Sequence, residues 1–385
     1  MGEVLSRITR SRPGARRTAV AVVAVALLAT GCSRAEDPPE RPAADAETGT
    51  SSQPVTPEAP DAYPSAAEES ATPAPAPDPE PDPGAGQESS APALPPVTTR
   101  PSLPALMREN FSGSRIERVL VEAETESYTR YRIAYRSGDL RISGVMLVPR
   151  GRGPFPGIVL AHGYIDPAIY VTGQGLAREQ DALARAGYVV LHTDYRGHAD
   201  SDASSDLARE TRLGYTRDVI TAVLALKRER VVDEDRVALL GRSMGGGIAY
   251  NTLVTRPGLV RAAVVYAPVS SRYVDNLRQF TIPNRPETAT ALYEQFGTPR
   301  QAPDFYRGLS PRTYFGRITE PMLIHHGTLD DSCPIRWSRE TQRALERAGV
   351  DSRLRVYVGE QHAFVPQWDL SMRRTLAFLD RRLRG

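Results

Sequence analysis

The run Val237-Ala238-Leu239-Leu240-Gly241-Arg242-Ser243-Met244-Gly245-Gly246-Gly247 constrains this chain more than any other feature. Four consecutive apolar residues are the pattern of a short strand buried on both faces. They lead directly into Gly-x-Ser-x-Gly, and the small residues that follow can open a helix. A serine held between a buried strand and a helix sits on a tight, strained turn, with glycines letting the two elements approach without Cβ clashes. The helix N-terminus beyond it offers backbone N–H groups to negative charge that develops nearby.

The rest of the chain from about residue 115 alternates in the same way. Arg130 to Ala134 and Leu140 to Pro149 read as antiparallel strands. Apolar runs follow at 157–161, 188–191, 237–240, 262–266, 322–324 and 354–358. Helical segments lie between them: Gly173 to Ala186, Thr211 to Arg228, Ser338 to Ala348 and Leu370 to Leu383. In the second of these Tyr215, Val219, Ala222, Val223 and Leu226 share one face. Strand and helix in alternation predict a mostly parallel sheet with helices on both faces, and a site at the carboxyl ends of its strands. The strand, the Gly-x-Ser-x-Gly turn and the helix together resemble the nucleophile elbow of the α/β-hydrolase fold.

A serine hydroxyl needs a general base. In the fold it resembles, the order along the chain is serine, acid, histidine. Of six histidines only His325, His326 and His362 follow Ser243. His325 and His326 close a strand, and His326 reads as a structural residue fixing the turn. His362 lies in Gly359-Glu360-Gln361-His362, just after the last strand, and is the expected base. His326-Gly327-Thr328-Leu329-Asp330-Asp331-Ser332-Cys333-Pro334 follows the penultimate strand. This H-G-T-x-D-D-x-x-P segment, the elbow and the late Gly-x-x-His resemble the catalytic domain of the prolyl oligopeptidase (S9) family over about residues 130–385. The resemblance implies that Asp330 orients His362, with Asp331 its rival. Cys333 stands where that family often has valine, which implies apolar packing.

The second donor to an oxyanion comes from the loop after an earlier strand. Leu160-Ala161-His162-Gly163-Tyr164 resembles the family's H-G-x turn, which implies Tyr164 N–H as the partner of Met244 N–H. His162 then holds the turn. Asp194-Tyr195-Arg196-Gly197-His198-Ala199-Asp200-Ser201 resembles a D-x-R-G-x-G-x-S segment, with Ala199 replacing glycine, and reads as a hydrogen-bonded turn beside the site. Residues 272–315 leave the alternation and hold 8 of the chain's 26 aromatic residues. That excess marks Tyr273, Phe280, Tyr293 and Phe296 as a small cap or acyl-pocket wall, or else as a separate little core. No metal-ligand spacing occurs, and neither a metal nor a cofactor is expected.

The N-terminal part is of another kind. Residues 1–32 carry a basic start, an apolar stretch from Thr18 to Ala29, and Leu28-Ala29-Thr30-Gly31-Cys32. This resembles a bacterial lipoprotein signal with Cys32 as the lipidated residue, although Leu28 is one place early. An ordinary cleaved signal is the alternative. Seventeen of the 33 prolines fall between residues 34 and 101, and residues 34–100 hold 13 acids against 3 arginines. Such a segment cannot bury enough apolar surface to offset its chain entropy. The expected organisation is a signal over 1–32, a Pro/Ala/acidic linker over 33–103 and a catalytic domain over 104–385. A net charge of +2 argues against nucleic acid as a partner.

The expectation is therefore an exported serine hydrolase, lipid-anchored on the extracytoplasmic face of the cell membrane or else secreted. It acts on small esters, amides or short peptides through an acyl-enzyme. Acyl transfer to an envelope acceptor and a non-catalytic surface binding protein are the alternatives.

Overall fold

The computed structural model describes residues 93–384. The leader over 1–32 with Cys32, and the linker up to residue 92, lie outside the described residues. Nine strands make one sheet: β1 (Glu117–Glu124), β2 (Tyr128–Ser137), β3 (Leu140–Pro149), β4 (Phe155–Ala161), β5 (Val189–Thr193), β6 (Val232–Arg242), β7 (Ala262–Tyr266), β8 (Met322–Gly327) and β9 (Ser352–Tyr357). Their order is β1-β2-β3-β5-β4-β6-β7-β8-β9. The first three pair antiparallel, and β3 meets β5 antiparallel. From β5 to β9 every pairing is parallel. The edge strand β1 is largely exposed and was not foreseen. Its Val119, Leu120 and Val121 face solvent, which removes the apolar-in pattern that marks a strand, and two irregularities break its register with β2.

Alternate residues of the central strands point to opposite faces. Val159, Leu191, Leu239, Val265 and Ile324 join one core, and Ile158, Val190, Leu240, Val264 and Leu323 the other. The first core is covered by helices at Leu213–Lys227 and Met244–Thr255, and by part of the helix at Ile335–Arg347. The second is covered by those at Ala177–Arg185 and Trp368–Leu383. In chain order these are α1 (Ala177–Arg185), α2 (Leu213–Lys227), α3 (Met244–Thr255), α4 (Ile335–Arg347) and α5 (Trp368–Leu383). This is the α/β-hydrolase architecture. Helix α1 begins later than the expected Gly173. Gly173, Gly175 and Leu176 all adopt positive φ, and Gly173 N–H is tied to the Asp194 carboxylate at 2.8 Å.

The chain reverses its direction of travel across the sheet at β4, with β5 on one side and β6 on the other. Loops leaving adjacent strands there part in opposite senses and open a crevice. Ala161 and Gly241, the last paired residues of β4 and β6, are in register. The H-G-Y loop and Ser243 therefore leave the sheet side by side.

The ordered body also extends N-terminal to the expected boundary at residue 104. Ser102 caps a short helix at Leu103–Leu106, and Leu103 and Leu106 are fully buried. The Arg108 guanidinium holds the carbonyls of Leu94 and Pro95.

Candidate active site

Ser243 has φ 55° and ψ −119°, a conformation that a residue with a Cβ adopts only when its surroundings impose it. The imposition is visible at the flanking glycines. A Cβ on Gly245 would lie 1.9 Å from the Ala161 carbonyl oxygen, and one on Gly241 would lie 2.3 Å from the Gly245 oxygen. Neither position admits another residue without moving backbone, so β6 and α3 fix the serine between them. The Gly246 N–H closes the first turn of α3 on the Ser243 carbonyl at 3.0 Å. Among the described residues neither Met244 N–H nor Tyr164 N–H has a hydrogen-bond acceptor. The loop bearing Tyr164 crosses close to Ser243: a Cβ on Gly163 would lie 3.8 Å from Ser243 Oγ.

His162 Nδ1 lies 2.6 Å from the Gly163 carbonyl oxygen, and its ring stacks on Tyr170 and His192. It is fully buried behind the loop. Burial pushes its imidazole down to about 3, and neighbouring His198 adds to the shift. It is a neutral structural histidine. The D-x-R-G segment braces the same loop. Asp194 accepts from Ser143, Tyr170 and Gly173, Arg196 forks onto buried Asp218 at 2.7 Å, and His198 Nε2 approaches the Ile165 carbonyl at 3.3 Å. Ala199, where the resembling segment has glycine, carries φ 45°.

Asp330 and His362 meet as the sequence led us to expect. His362 Nδ1 lies 2.8 Å from Asp330 Oδ2 and 3.0 Å from Oδ1. A carboxylate there keeps the hydrogen on Nδ1 and leaves Nε2 bare as a base. Asp330 also accepts the N–H groups of Ser332 (3.0 Å) and Cys333 (2.7 Å). Burial pushes the Asp330 carboxyl up, but hydrogen bonds from His326 and His362 outweigh it and hold the group well below the usual carboxylate range. Asp331 is exposed and bonds only the Ser332 hydroxyl, at 3.3 Å.

His326 does more than fix its turn. Its Nε2 faces two acceptors, the Cys333 carbonyl at 2.7 Å and Asp330 Oδ2 at 3.2 Å. Nε2 must therefore carry the hydrogen, and Nδ1 accepts from the Ser338 hydroxyl at 2.6 Å. The Asp330 carboxylate is thus held by two imidazoles.

A second support was not legible in the sequence. Glu360 is fully buried in the loop of His362, and its carboxylate accepts the N–H groups of Gln361, Val365 and Gln367. Arg242, inside the Gly-x-Ser-x-Gly turn, donates to the Ala363 carbonyl at 3.0 Å and pairs with buried Glu179. The elbow and the histidine loop are thereby tied directly together.

Ser243, Met244, Tyr164 and His362 all line one cavity of about 690 Å³. Ser243 makes no hydrogen bond to His362 and lies beside the Cys333 thiol. Burial and the Asp330 charge push that thiol up, against a contact with the Ser243 hydroxyl. Cys333 packs with Val269, Trp337 and Phe280, in keeping with an apolar role. The aromatic segment divides. Phe280 lines the cavity, whereas Tyr273 is buried against Glu210. Tyr293 and Phe296 pack on the first core, Phe296 stacking on Phe305 at 4.2 Å, and neither reaches the cavity. Their spacing within a short helix, Pro286–Phe296, gave no means of telling wall from core. Among the described residues no group of three or more His, Cys, Asp or Glu could hold a metal ion.

This fold, with a strained serine and a histidine–carboxylate pair above the sheet, defines the class of α/β-hydrolase serine hydrolases. The prolyl oligopeptidase family matches residues 175–385, and the chain belongs to that family. It is 25% identical over 240 residues to YtmA, an uncharacterized peptidase of Bacillus subtilis (strain 168), covering 62% of this chain and 87% of that protein. Against dipeptidyl peptidase 4 of Sus scrofa the identity is 30% over 180 residues, 45% of this chain but only 22% of the relative. An acetyl xylan esterase from Paenibacillus sp. R4 superposes with a TM-score of 0.56 at 20% identity, covering 72% and 92% of the two chains. That likeness is one of fold.

Proposed function

We propose that this serine hydrolase cleaves esters and small activated amides, with Ser243 as nucleophile, His362 as general base and acid, and Asp330 as the group that orients the imidazole. The observation that carries the reading is the strained Ser243, which faces one cavity together with a histidine whose Nε2 is left bare by a buried carboxylate. Rotation about the Ser243 Cα–Cβ bond moves Oγ from Cys333 toward His362, a contact that tightens when substrate enters. Oγ then attacks the carbonyl carbon and its proton passes to Nε2. The N–H groups of Met244 and Tyr164 receive the oxyanion. His362 returns the proton to the leaving group, and water repeats the sequence on the acyl-enzyme.

The preference for small substrates follows from what covers the site. Among the described residues the elements ahead of β4 are three antiparallel strands and a short helix, and the cavity walls come from the Tyr164 loop, the turn over 206–215 and Phe280 to Thr288. Tyr164 stands 57% exposed at its rim. The remaining proposals concern placement: Cys32 anchors the chain by lipid on the outer face of the membrane, and the acidic linker spaces the domain from it. Comparing kcat/KM for a short-chain 4-nitrophenyl ester and an X-Pro 4-nitroanilide tests the substrate reading. Faster ester turnover that is lost in Ser243→Ala is expected. A tenfold preference for the anilide makes the enzyme a peptidase instead.

A further inference from the structure

Most charges around the cavity are already answered. Arg285 pairs with Glu210 at 3.0 Å, and the other Glu210 oxygen takes the Thr281 hydroxyl at 2.6 Å. Arg209 pairs with Asp206. Asp166 stands at the exposed mouth and accepts the Ala168 N–H at 2.9 Å. Arg212 is different. It lines the same cavity, yet among the described residues its side chain donates no hydrogen bond and forms no ion pair.

Arg212 is also held in place at a cost. It has φ 60° and ψ 4° immediately before α2, a left-handed conformation that is strained for a residue with a Cβ. Its Nη1 comes within 3.4 Å of the point where a Cβ on Gly247 would sit. Gly247 lies one helical turn beyond Ser243, with its N–H directed at the Ser243 carbonyl. The guanidinium therefore lies against the helix that carries the nucleophile, beside the apolar side chains of Val269 and Phe280 that line the cavity. Burial disfavours its charge, and Glu210 offsets this only in part. A guanidinium is always charged and presents a rigid fork of donors that matches a carboxylate. Arg212 is half-buried and has no protein partner, so a carboxylate entering the cavity can replace the water on its guanidinium with a charge-assisted pair.

We propose that Arg212 sets the specificity of the acyl pocket by binding a carboxylate at the far end of the acyl group. The substrates it selects are esters or amides of short dicarboxylic acids, or of acidic residues. The inference rests on Ser243 being the nucleophile, which places the acyl carbonyl beside α3. Neutral acyl groups leave the guanidinium unanswered, whereas a terminal carboxylate forks onto it. Asp166 is exposed, so water screens its charge from a carboxylate in the cavity.

The test is the ratio of kcat/KM for mono-4-nitrophenyl glutarate and 4-nitrophenyl pentanoate, which share a leaving group and a chain length. The full chain should favour the glutarate ester by at least tenfold, about 1.4 kcal/mol, and the preference should weaken with rising salt. In Arg212→Gln the ratio should fall at least tenfold, and Arg212→Lys should retain part of it. Fluorophosphonate labelling of Ser243 reports that each variant is folded. If the wild-type ratio is one or less while Ser243→Ala is inactive, the Arg212 proposal is wrong and the nucleophile stands. If Ser243→Ala hydrolyses both esters at the wild-type rate, the nucleophile reading fails first. If Arg212→Gln fails to fold, the wild-type ratio and its salt dependence decide alone.

Discussion

Replacing Asp330 with asparagine probes the site through one hydrogen-bond donor. Every group facing this carboxylate is a donor: His362 Nδ1–H, His326 Nε2–H and the N–H groups of Ser332 and Cys333. The two backbone donors both address Oδ1. An asparagine therefore keeps its oxygen there and turns its NH2 toward the imidazoles. His362 must then present a bare Nδ1, so its hydrogen moves to Nε2 and the base is lost. The analogous change in a serine–histidine–aspartate triad costs about 10⁴ in kcat, or about 5.5 kcal/mol at 1.36 kcal/mol per tenfold. His326 faces the same reversed dipole. Recovering it means giving up its bond to the Cys333 carbonyl, at about 1–3 kcal/mol of stability for a buried polar group left unpaired. Steady-state kinetics with a short-chain 4-nitrophenyl ester, alongside urea unfolding, separates the two effects. The loss should fall in kcat with KM little changed, and Asp331→Asn should stay within twofold of wild type. An Asp330→Asn enzyme with a tenth or more of wild-type kcat, or a dead Asp331→Asn, refutes the tautomer argument.

Acid should destabilise the fold through its buried imidazoles. Burial first, and neighbouring positive groups second, push His162 and His325 down to about 3, and His192 is also lowered strongly. Each unfolded histidine titrates near 6.5, so between that value and the folded one the unfolded chain binds more protons. The stability is fully present above pH 6.5 and falls as pH drops, by up to about 1.4 kcal/mol per pH unit for each group; urea midpoints unchanged between pH 8 and 5 contradict this. For the N-terminal region, Cys32→Ser should move the protein from the membrane fraction to the soluble one. Deleting 33–92 should leave the melting temperature unchanged, while deleting 33–103 should lower it, because Ser102 and Leu103 are buried; equal melting temperatures for the two deletions contradict the boundary drawn here.

What could be read ahead of the structure was local. Gly241, Ser243 and Gly245 announce themselves because strand, turn and helix are contiguous. Asp330 and His362 could be placed because each follows a strand end at a short distance. The arrangement that holds them could not. Glu360 beside His362, and Arg242 reaching Ala363 across 121 residues, depend on which loops the sheet order brings together, and no periodicity encodes that. Arg212 was invisible for the same reason. It is one of many arginines in a chain with a single lysine, Lys227, and only its lack of a partner sets it apart. Tyr293 and Phe296 failed in the opposite sense. Their composition was legible, but the direction in which they point was not.

The register of Ala161 with Gly241 carries a consequence for how such an enzyme changes. The chemistry is assembled on strand ends fixed by backbone ladders, while the cavity floor and cover come from residues between strands: Arg212, Phe280 and Arg285. On the proposed function, substrate choice and reaction machinery therefore sit on separate parts of the chain. Replacing the cavity-lining Arg212 or Phe280 would redirect the enzyme to another acyl group and leave the backbone donors where the sheet puts them.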